Sequence, residues 1–509
     1  MINKKLSIIV AALLFVSLTA TQCNNNNKEE SSKEETKSSG SSITPKELPV
    51  VVPGFNFPED SNTIYSWMNN KGFPNNYDSA SVYKHAWGVW AGLTANSGEV
   101  LYGDSLRIFE TWLGISEIQD MIVAGDTKGG CDGAVKKTSR TGLEHPRQFG
   151  HGPAVFLKHA LLRKKNNDTI DVNPGFWVTV SYDPNAACYA STNSILKQSV
   201  INKYAVANGI GNIPAFPQKS ITIKPTYIVG SATDSLIQIP AWNGPKDTAY
   251  SSNLWPTVVY ADVKNRQQPN KKLIPAGAND NDPAHIAAAT CNVSDFVNFK
   301  VDAKMAAFMN KQDSTQGLSG GGKAIAGQVA ILVAMHVTTK EISNWTWQTY
   351  YWTPDPSNPY KPSSNLAASL MPAQLQGTAA GHYAVVTSYA MVIPNQPLVG
   401  GTNKGVVPIY GYNPYLESGF DTSFNGGNLV FPNKLNPRFY FGDQTNCMTC
   451  HTLATPTSLM TKGGVTNDIY STVQYISNND PFFVNKVRLD FAWSIQGTLI
   501  NDAPPAKKE

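Results

Sequence analysis

Charge is scarce in this chain of 509 residues: Asp, Glu, Lys and Arg make up 15%, and 41 basic side chains stand against 37 acidic ones, a formal balance of +4. No long basic run occurs, which excludes the electrostatic footprint of a nucleic-acid binder. After the N-terminal stretch no apolar run reaches the roughly eighteen residues a bilayer span requires. The H-E-x-x-H and paired-glycine fingerprints are missing, and LSGGGKA at 318–324 lacks the Walker spacing and reads as a loop. What the chain does have is Gly (39), Pro (33), Tyr (21) and Trp (11), with 41% hydrophobic residues, enough for a substantial core. Many turn formers and aromatics with little charge point to an α+β, β-rich fold: one large strand-and-loop domain over residues 48–509.

The N-terminus addresses the chain. Lys4 and Lys5 precede the apolar run Leu6–Leu18, the layout of a secretory signal over residues 1–22. Cys23 follows Ala20-Thr21-Gln22 and resembles the lipidated cysteine of bacterial lipoproteins, although Gln22 stands where those signals carry Gly, Ala or Ser. Residues 24–42, NNNNKEESSKEETKSSGSS, hold no apolar side chain and cannot bury surface to offset the entropy of ordering. Residues 23–47 therefore read as a lipid-anchored tether. The expected location is the periplasm or cell surface, with contact to a bacterial membrane through the lipid.

The strongest motif lies near the other end, in TNCMTCHTLA, 445–454. Cys447-Met-Thr-Cys450-His451 is a C-x-x-C-H sequence, in which two thiols reach one edge of a porphyrin and the adjacent imidazole turns under the iron. A redox C-x-x-C expects a strand before it and a helix starting at the motif, a pattern not evident here. A structural zinc needs four ligands, and no second C-x-x-C or H-x-x-x-H completes the set. Here the sequence resembles the c-type cytochromes, over the motif and about a dozen neighbours. The resemblance implies one covalent haem c, thioether bonds at Cys447 and Cys450, His451 as proximal iron ligand, and a redox partner protein. Two features depart from small cytochromes. The preceding GGNLVFPNKLNPRFYFGD (426–443) contains two prolines and two adjacent glycines, which disfavour a continuous helix. Only Met460 follows as a thioether. The segment near 440–460 is thus expected to be a haem-binding loop of a larger fold rather than a detachable domain. Pro456 marks a place where a nearby carbonyl would take the other ring N–H of His451.

A distal ligand is sought upstream. GQVAILVAMHVTTKEI (327–342) is a continuous Val/Ile-rich run and predicts a buried strand. Alternation places Ala330, Leu332, Ala334 and His336 on one face, with Met335 on the other. HYAVVTSYAMVI (382–393) predicts a second strand, with His382 and Ser388 on one face and Tyr389 and Met391 on the other. The distal candidates are His336, His382 and a methionine, Met391, Met335 or Met460; water or an open position is the alternative. Trp345, Trp347 and Tyr351 are expected on one face of a further strand. Other strands are expected from Phe176, Ser220, Ser235 and Thr257, and helices over 105–118 and 297–311. His145, His151 and His159 lie in a Gly/Pro-rich stretch that reads as loop. Of the remaining cysteines, Cys131, Cys188 and Cys291, only two can pair with one another. The composite expectation is a monohaem c-type cytochrome lipoprotein transferring electrons outside the inner membrane. The alternatives are a peroxidase- or oxygenase-like haem enzyme with an open distal position, and a surface binding protein whose haem is structural.

Overall fold

Four long strands organise the structure, a computed structural model that describes residues 41–71, 76–101, 103–126, 128, 131, 133, 135–137, 143, 170–172, 174–231, 236–245, 255–315, 323–417, 446–456 and 474–502. They are β1 (Ile221–Gly230), β2 (Val329–Thr339), β3 (Thr346–Trp352) and β4 (Tyr383–Thr387). They lie in the order β4-β3-β2-β1, all antiparallel, and the sheet continues through Ser181–Tyr182 to Leu113–Gly114. Asn298–Lys300 pairs beside β2, and Gly175–Val178 beside β1. β2 is central and buried on both faces, as its uninterrupted apolar run predicts; His336 alone in it is half-buried. A second sheet is built from Ala276–Gly277, Thr257–Asp262, Leu236–Pro240 and Ile170–Asp171, with Thr290–Asn292 parallel to Thr257–Asp262. The class is α+β, and residues 40–509 form one unit.

One face of the first sheet is sealed by helix α1 (Ser79–Thr94), begun by the Asp78 carboxylate accepting from Ser81 N. α1 is apolar around most of its circumference because it is buried: Trp87, Trp90, Val82, Val89 and Leu93 are each at most 1% exposed. Trp90 stacks on Tyr350 of β3 at 4.4 Å and 19°, and the Tyr350 hydroxyl donates to Ala86 O at 2.5 Å. Both indole N–H groups find carbonyls outside the helix, Trp87 at Ala367 O and Trp90 at Ala380 O.

Several expected elements differ. Residues 105–118 do not form one helix. Asp104–Arg107 is a strand, Ile108–Thr111 a 3-10 turn, and the helix runs Ile115–Val123. Two glutamates set these breaks: Glu110 accepts from Arg107 N and Glu117 from Gly114 N, each starting a new turn. Over 297–311 the chain first pairs as Asn298–Lys300 and turns helical only at Ala303. The 382–393 strand is shorter, because His382 ends a 3-10 turn (Ala379–His382) and β4 stops at Thr387. Trp345 lies before β3 with φ 61°, so it does not share the alternation of Trp347 and Tyr351. Helix is about as abundant as strand, with α1 and Pro184–Asn193 beyond the helices expected. Cys131 and Cys188 form a disulfide, and Cys291 is a buried thiol. Cys23, Met460, the three loop histidines at 145, 151 and 159, and the stretches 1–40 and 418–445 lie outside the described residues.

The Trp90–Tyr350 contact fastens α1 to the sheet. Tyr350→Ala is expected to cost about 3–5 kcal/mol of unfolding free energy, and Tyr350→Phe, which keeps the stack and loses the hydroxyl bond, about 1 kcal/mol. Denaturant midpoints of the two variants check the difference.

Candidate functional site

The C-x-x-C-H motif is a helix, α2 (Cys447–Thr452), not a loop. Asn446 makes it so. Its side-chain oxygen accepts from Thr449 N at 2.9 Å, capping the first turn. Its amide nitrogen donates to Ala390 O at 3.0 Å, Met391 O at 3.4 Å and Ile409 O at 2.9 Å. One buried carboxamide therefore both nucleates the helix and ties it to the chain leaving β4. Within α2, residues three and four apart share a side. Cys447 and His451 are half-buried, while Met448, Thr449 and Thr452 are buried and Met448 joins a core with Met391, Leu453 and Ala454.

The motif rests on the face of the sheet opposite α1. Register places Lys224, His336, Thr349 and Val386 in one row across β1–β4, and Thr338 beside Trp347 in the next. Ser388 N donates to Trp347 O, continuing that second row. The Trp347 ring lies 4.3 Å from the His451 ring at 41°. Cys447 Sγ donates to Gly411 O at 3.0 Å, and Gly411 must be glycine: a Cβ there would fall 1.7 Å from Ser388 Oγ. Burial holds the Cys447 thiol well above its ordinary pKa, with Glu417 and Cys450 adding to the rise. Neither Cys447 nor Cys450 forms a disulfide.

His451 is defined by its acceptor. Nδ1 lies 2.8 Å from Phe491 O, and since a carbonyl cannot donate, Nδ1 carries the proton. Among the described residues Nε2 has no hydrogen-bond partner. Burial pushes the imidazole pKa down to about 3, the Phe491 carbonyl pulling the other way, so the ring is neutral at neutral pH. The expected partner near Pro456 is thus corrected to Phe491. The segment 487–493 embraces the motif: Leu489 N donates to Ala454 O at 2.9 Å, Phe491 O accepts from His451, and Trp493 Nε1 donates to Cys450 O at 3.1 Å. Asp490 (φ 46°) and Phe491 (φ 69°) are left-handed, as is Trp345 (φ 61°). Such conformations cost on the order of 1–3 kcal/mol each and persist only where the surroundings impose them. These residues carry no motif, and a main-chain acceptor leaves no side-chain signal in a sequence.

The proposed distal residues fall in different places. His336 lies on the motif's face and is close enough that its charge lowers the His451 pKa. Both its ring nitrogens are engaged, Nδ1 with Thr349 Oγ1 at 2.9 Å and Nε2 with Glu417 Oε1 at 2.8 Å. Asn413 braces that pair, donating from its backbone to Glu417 Oε2 at 2.5 Å and from its side chain to Thr349 Oγ1 at 2.7 Å. His382 sits at the other end of β4 against Asn270 Oδ1 at 3.2 Å, six positions before Ser388 and so about 20 Å away along an extended chain. Met391 is beside the motif, but its thioether accepts from Ile476 N at 3.4 Å. Met335 faces the α1 side, opposite Tyr350.

The described residues contain no group of three or more His, Cys, Asp or Glu arranged for a metal ion. A cavity of 380 Å³ behind α2 is lined by Met448, Tyr65, Tyr389 and Asn344, and one of 350 Å³ lies against the second sheet near Tyr260 and Arg266. Neither is lined by Cys447, Cys450 or His451. The donor set nevertheless fits haem: two thiols three apart on one turn, and a neutral imidazole with Nδ1–H given to a carbonyl and the Nε2 lone pair left over, the tautomer an iron ligand needs. No family profile, curated protein or solved structure matches the chain.

Asn446→Ala removes the cap and the amide that donates to Ala390 O, Met391 O and Ile409 O. It is expected to destabilise the fold by about 2–4 kcal/mol, read as a lowered denaturation midpoint.

Proposed function

We propose that this chain is a monohaem c-type cytochrome lipoprotein that transfers electrons outside the inner membrane. The observation that carries the reading is the C-x-x-C-H helix with His451 neutral and its Nδ1–H fixed on Phe491 O. Cys447 and Cys450 would hold the porphyrin through thioethers, and His451 Nε2 would bind the iron. Bound there, haem supplies a one-electron redox couple. The chain's own residues do the rest. Phe491 O makes the imidazole a stronger donor, Trp347 covers a flank of the ring, and the buried turn of Met448 and Thr449 shields the motif from water. Met448 and Leu453 share a core with residues as distant in sequence as Ile64 and Tyr182, which supports a haem segment built into the larger domain over 48–509 rather than a detachable one. A carrier alone needs on the order of 100 residues, so the remaining mass argues for docking to a redox partner. Cys23 would anchor the tether to the membrane.

Production in a host with cytochrome maturation tests this. Wild type should show a haem-staining band that survives denaturing electrophoresis; Cys447→Ala/Cys450→Ala should lose it. A colourless wild-type product sinks the proposal.

One observation favours a second reading, a haem enzyme with an exchangeable position opposite His451. The described candidates for that position are committed elsewhere: His336 to Glu417 and Thr349, Met391 to Ile476 N, and His382 to Asn270. Carbon monoxide distinguishes the two. A ferrous spectrum unmoved by the gas supports the carrier, and a large Soret shift supports the enzyme. If His336 ligates by leaving Glu417, His336→Ala should convert a low-spin spectrum to one that binds the gas.

A further inference from the structure

The connection between β2 and β3 grips the residue next to the acceptor of His451. Lys340 Nζ donates to Asp490 Oδ1 at 2.6 Å and to Ser343 O at 2.8 Å. Trp345 Nε1 donates to Asp490 O at 3.0 Å, and Lys340 Nζ lies 5.2 Å from the Trp345 ring centre. The other carboxylate oxygen of Asp490 accepts from Phe216 N at 2.9 Å. Asp490 is thus held at both side-chain oxygens and at its carbonyl. Its neighbour's carbonyl, one peptide on, is the one that takes the His451 proton.

Two features make this more than an incidental ion pair. Lys340 is buried, at 7% exposure, and a buried Lys–Asp pair gives up more in desolvation than a surface pair would. The backbone it holds is left-handed at two successive residues with side chains, Asp490 and Phe491, and the Trp345 that helps hold it is left-handed too. Unfavourable conformations of this kind, gathered on the peptide that serves a functional side chain, point to that peptide's orientation as what the surroundings enforce. Trp347, two residues beyond Trp345, packs against the His451 ring itself. One turn of chain therefore contacts both the imidazole and the peptide that orients it.

We propose that Lys340 is a positioning residue for His451. Its ion pair with Asp490 locks the left-handed turn at 490–491 so that the Phe491 carbonyl points at Nδ1 and selects the tautomer with a free Nε2. The functional sense rests on His451 being the iron ligand; the tautomer effect does not. The other ties of this segment, Leu489 N to Ala454 O and Trp493 Nε1 to Cys450 O, do not pass through Asp490. Loosening the pair should leave the motif helix attached while freeing the carbonyl.

The test uses the full-length chain with Lys340→Met, and with Asp490→Asn, which preserves side-chain shape and tolerates the left-handed backbone. Long-range ¹H–¹⁵N spectra of the histidine rings are recorded on protein made without haem maturation, with His451 assigned by its loss in His451→Asn. Wild type should show His451 as the Nδ1–H tautomer alone. Either variant should show both tautomers, with Nε2–H rising to about a third or more, and Lys340→Arg should restore the single form. In haem-bearing protein the same variants should raise the midpoint potential, because a less basic imidazole stabilises the ferric state less. A folded Lys340→Met or Asp490→Asn protein that keeps only Nδ1–H overturns the proposal, and so does a potential that does not move in a haem-loaded variant. Failure to take up haem would remove the cytochrome reading and leave the tautomer result to decide this one.

Discussion

The hydrogen bond from His451 Nδ1–H to the Phe491 carbonyl is the contact on which the site depends. An imidazole shielded from water loses the hydration of its charged form and stays neutral, and a neutral ring must choose which nitrogen keeps the proton. A carbonyl acceptor leaves no choice. Everything around it serves that bond: the segment 487–493 bonds to Cys450, His451 and Ala454, and Asn446 fixes the opposite end of the same short helix to the chain beyond β4. α2 is six residues long, and an isolated helix of that length would not form in water. Its order comes from what holds its two ends.

The sheet separates two polar systems by the alternation of its side chains. On the motif's face lie His336, Thr349, Trp347 and Ser388. On the α1 side, His85 bridges Tyr389 at 2.5 Å and Glu341 at 3.1 Å, and Glu341 also accepts from Glu59 N at 2.7 Å and from the Thr339 hydroxyl. His336 and Thr349 on one side, and His85, Tyr389 and Glu341 on the other, find their partners within the protein, as buried polar groups generally do. The β2–β3 turn joins them, since Glu341 reaches the second network and Lys340, its neighbour, reaches Asp490. The helix at Cys447–Thr452 is therefore braced by the same connection that ends the central strand.

Much of the sheet was legible. The run at 327–342 is too long and too apolar to be anything but buried, and period-two alternation assigned His336 to a face that register then shares with Trp347 and Ser388. Other parts misled for identifiable reasons. α1 is rich in Trp, Val and Gly and has no polar stripe, because both its sides are covered; helical periodicity disappears under such conditions. The supposed helices at 105–118 and 297–311 hide strands because Glu110, Glu117 and tertiary pairing override local propensity. The motif looked like a loop because the Pro/Gly-rich run before it was extended, by inference, into it; Asn446 restarts the chain as a helix. The acceptor Phe491 lies forty residues downstream of His451, beyond the reach of any local pattern around Pro456.

By itself the sequence determined the chemistry: two thiols and an imidazole at a spacing that follows from covalent order, and a strand whose hydrophobicity requires burial. Those are local properties, written in consecutive residues. Which atom accepts the His451 proton, which lysine steadies that acceptor, and which of His336, His382 and Met391 comes near the motif were decided only when distant segments packed together. Those contacts are made by backbone carbonyls and by side chains up to 150 positions apart, and their distances depend on the path of the whole chain rather than on any stretch of it.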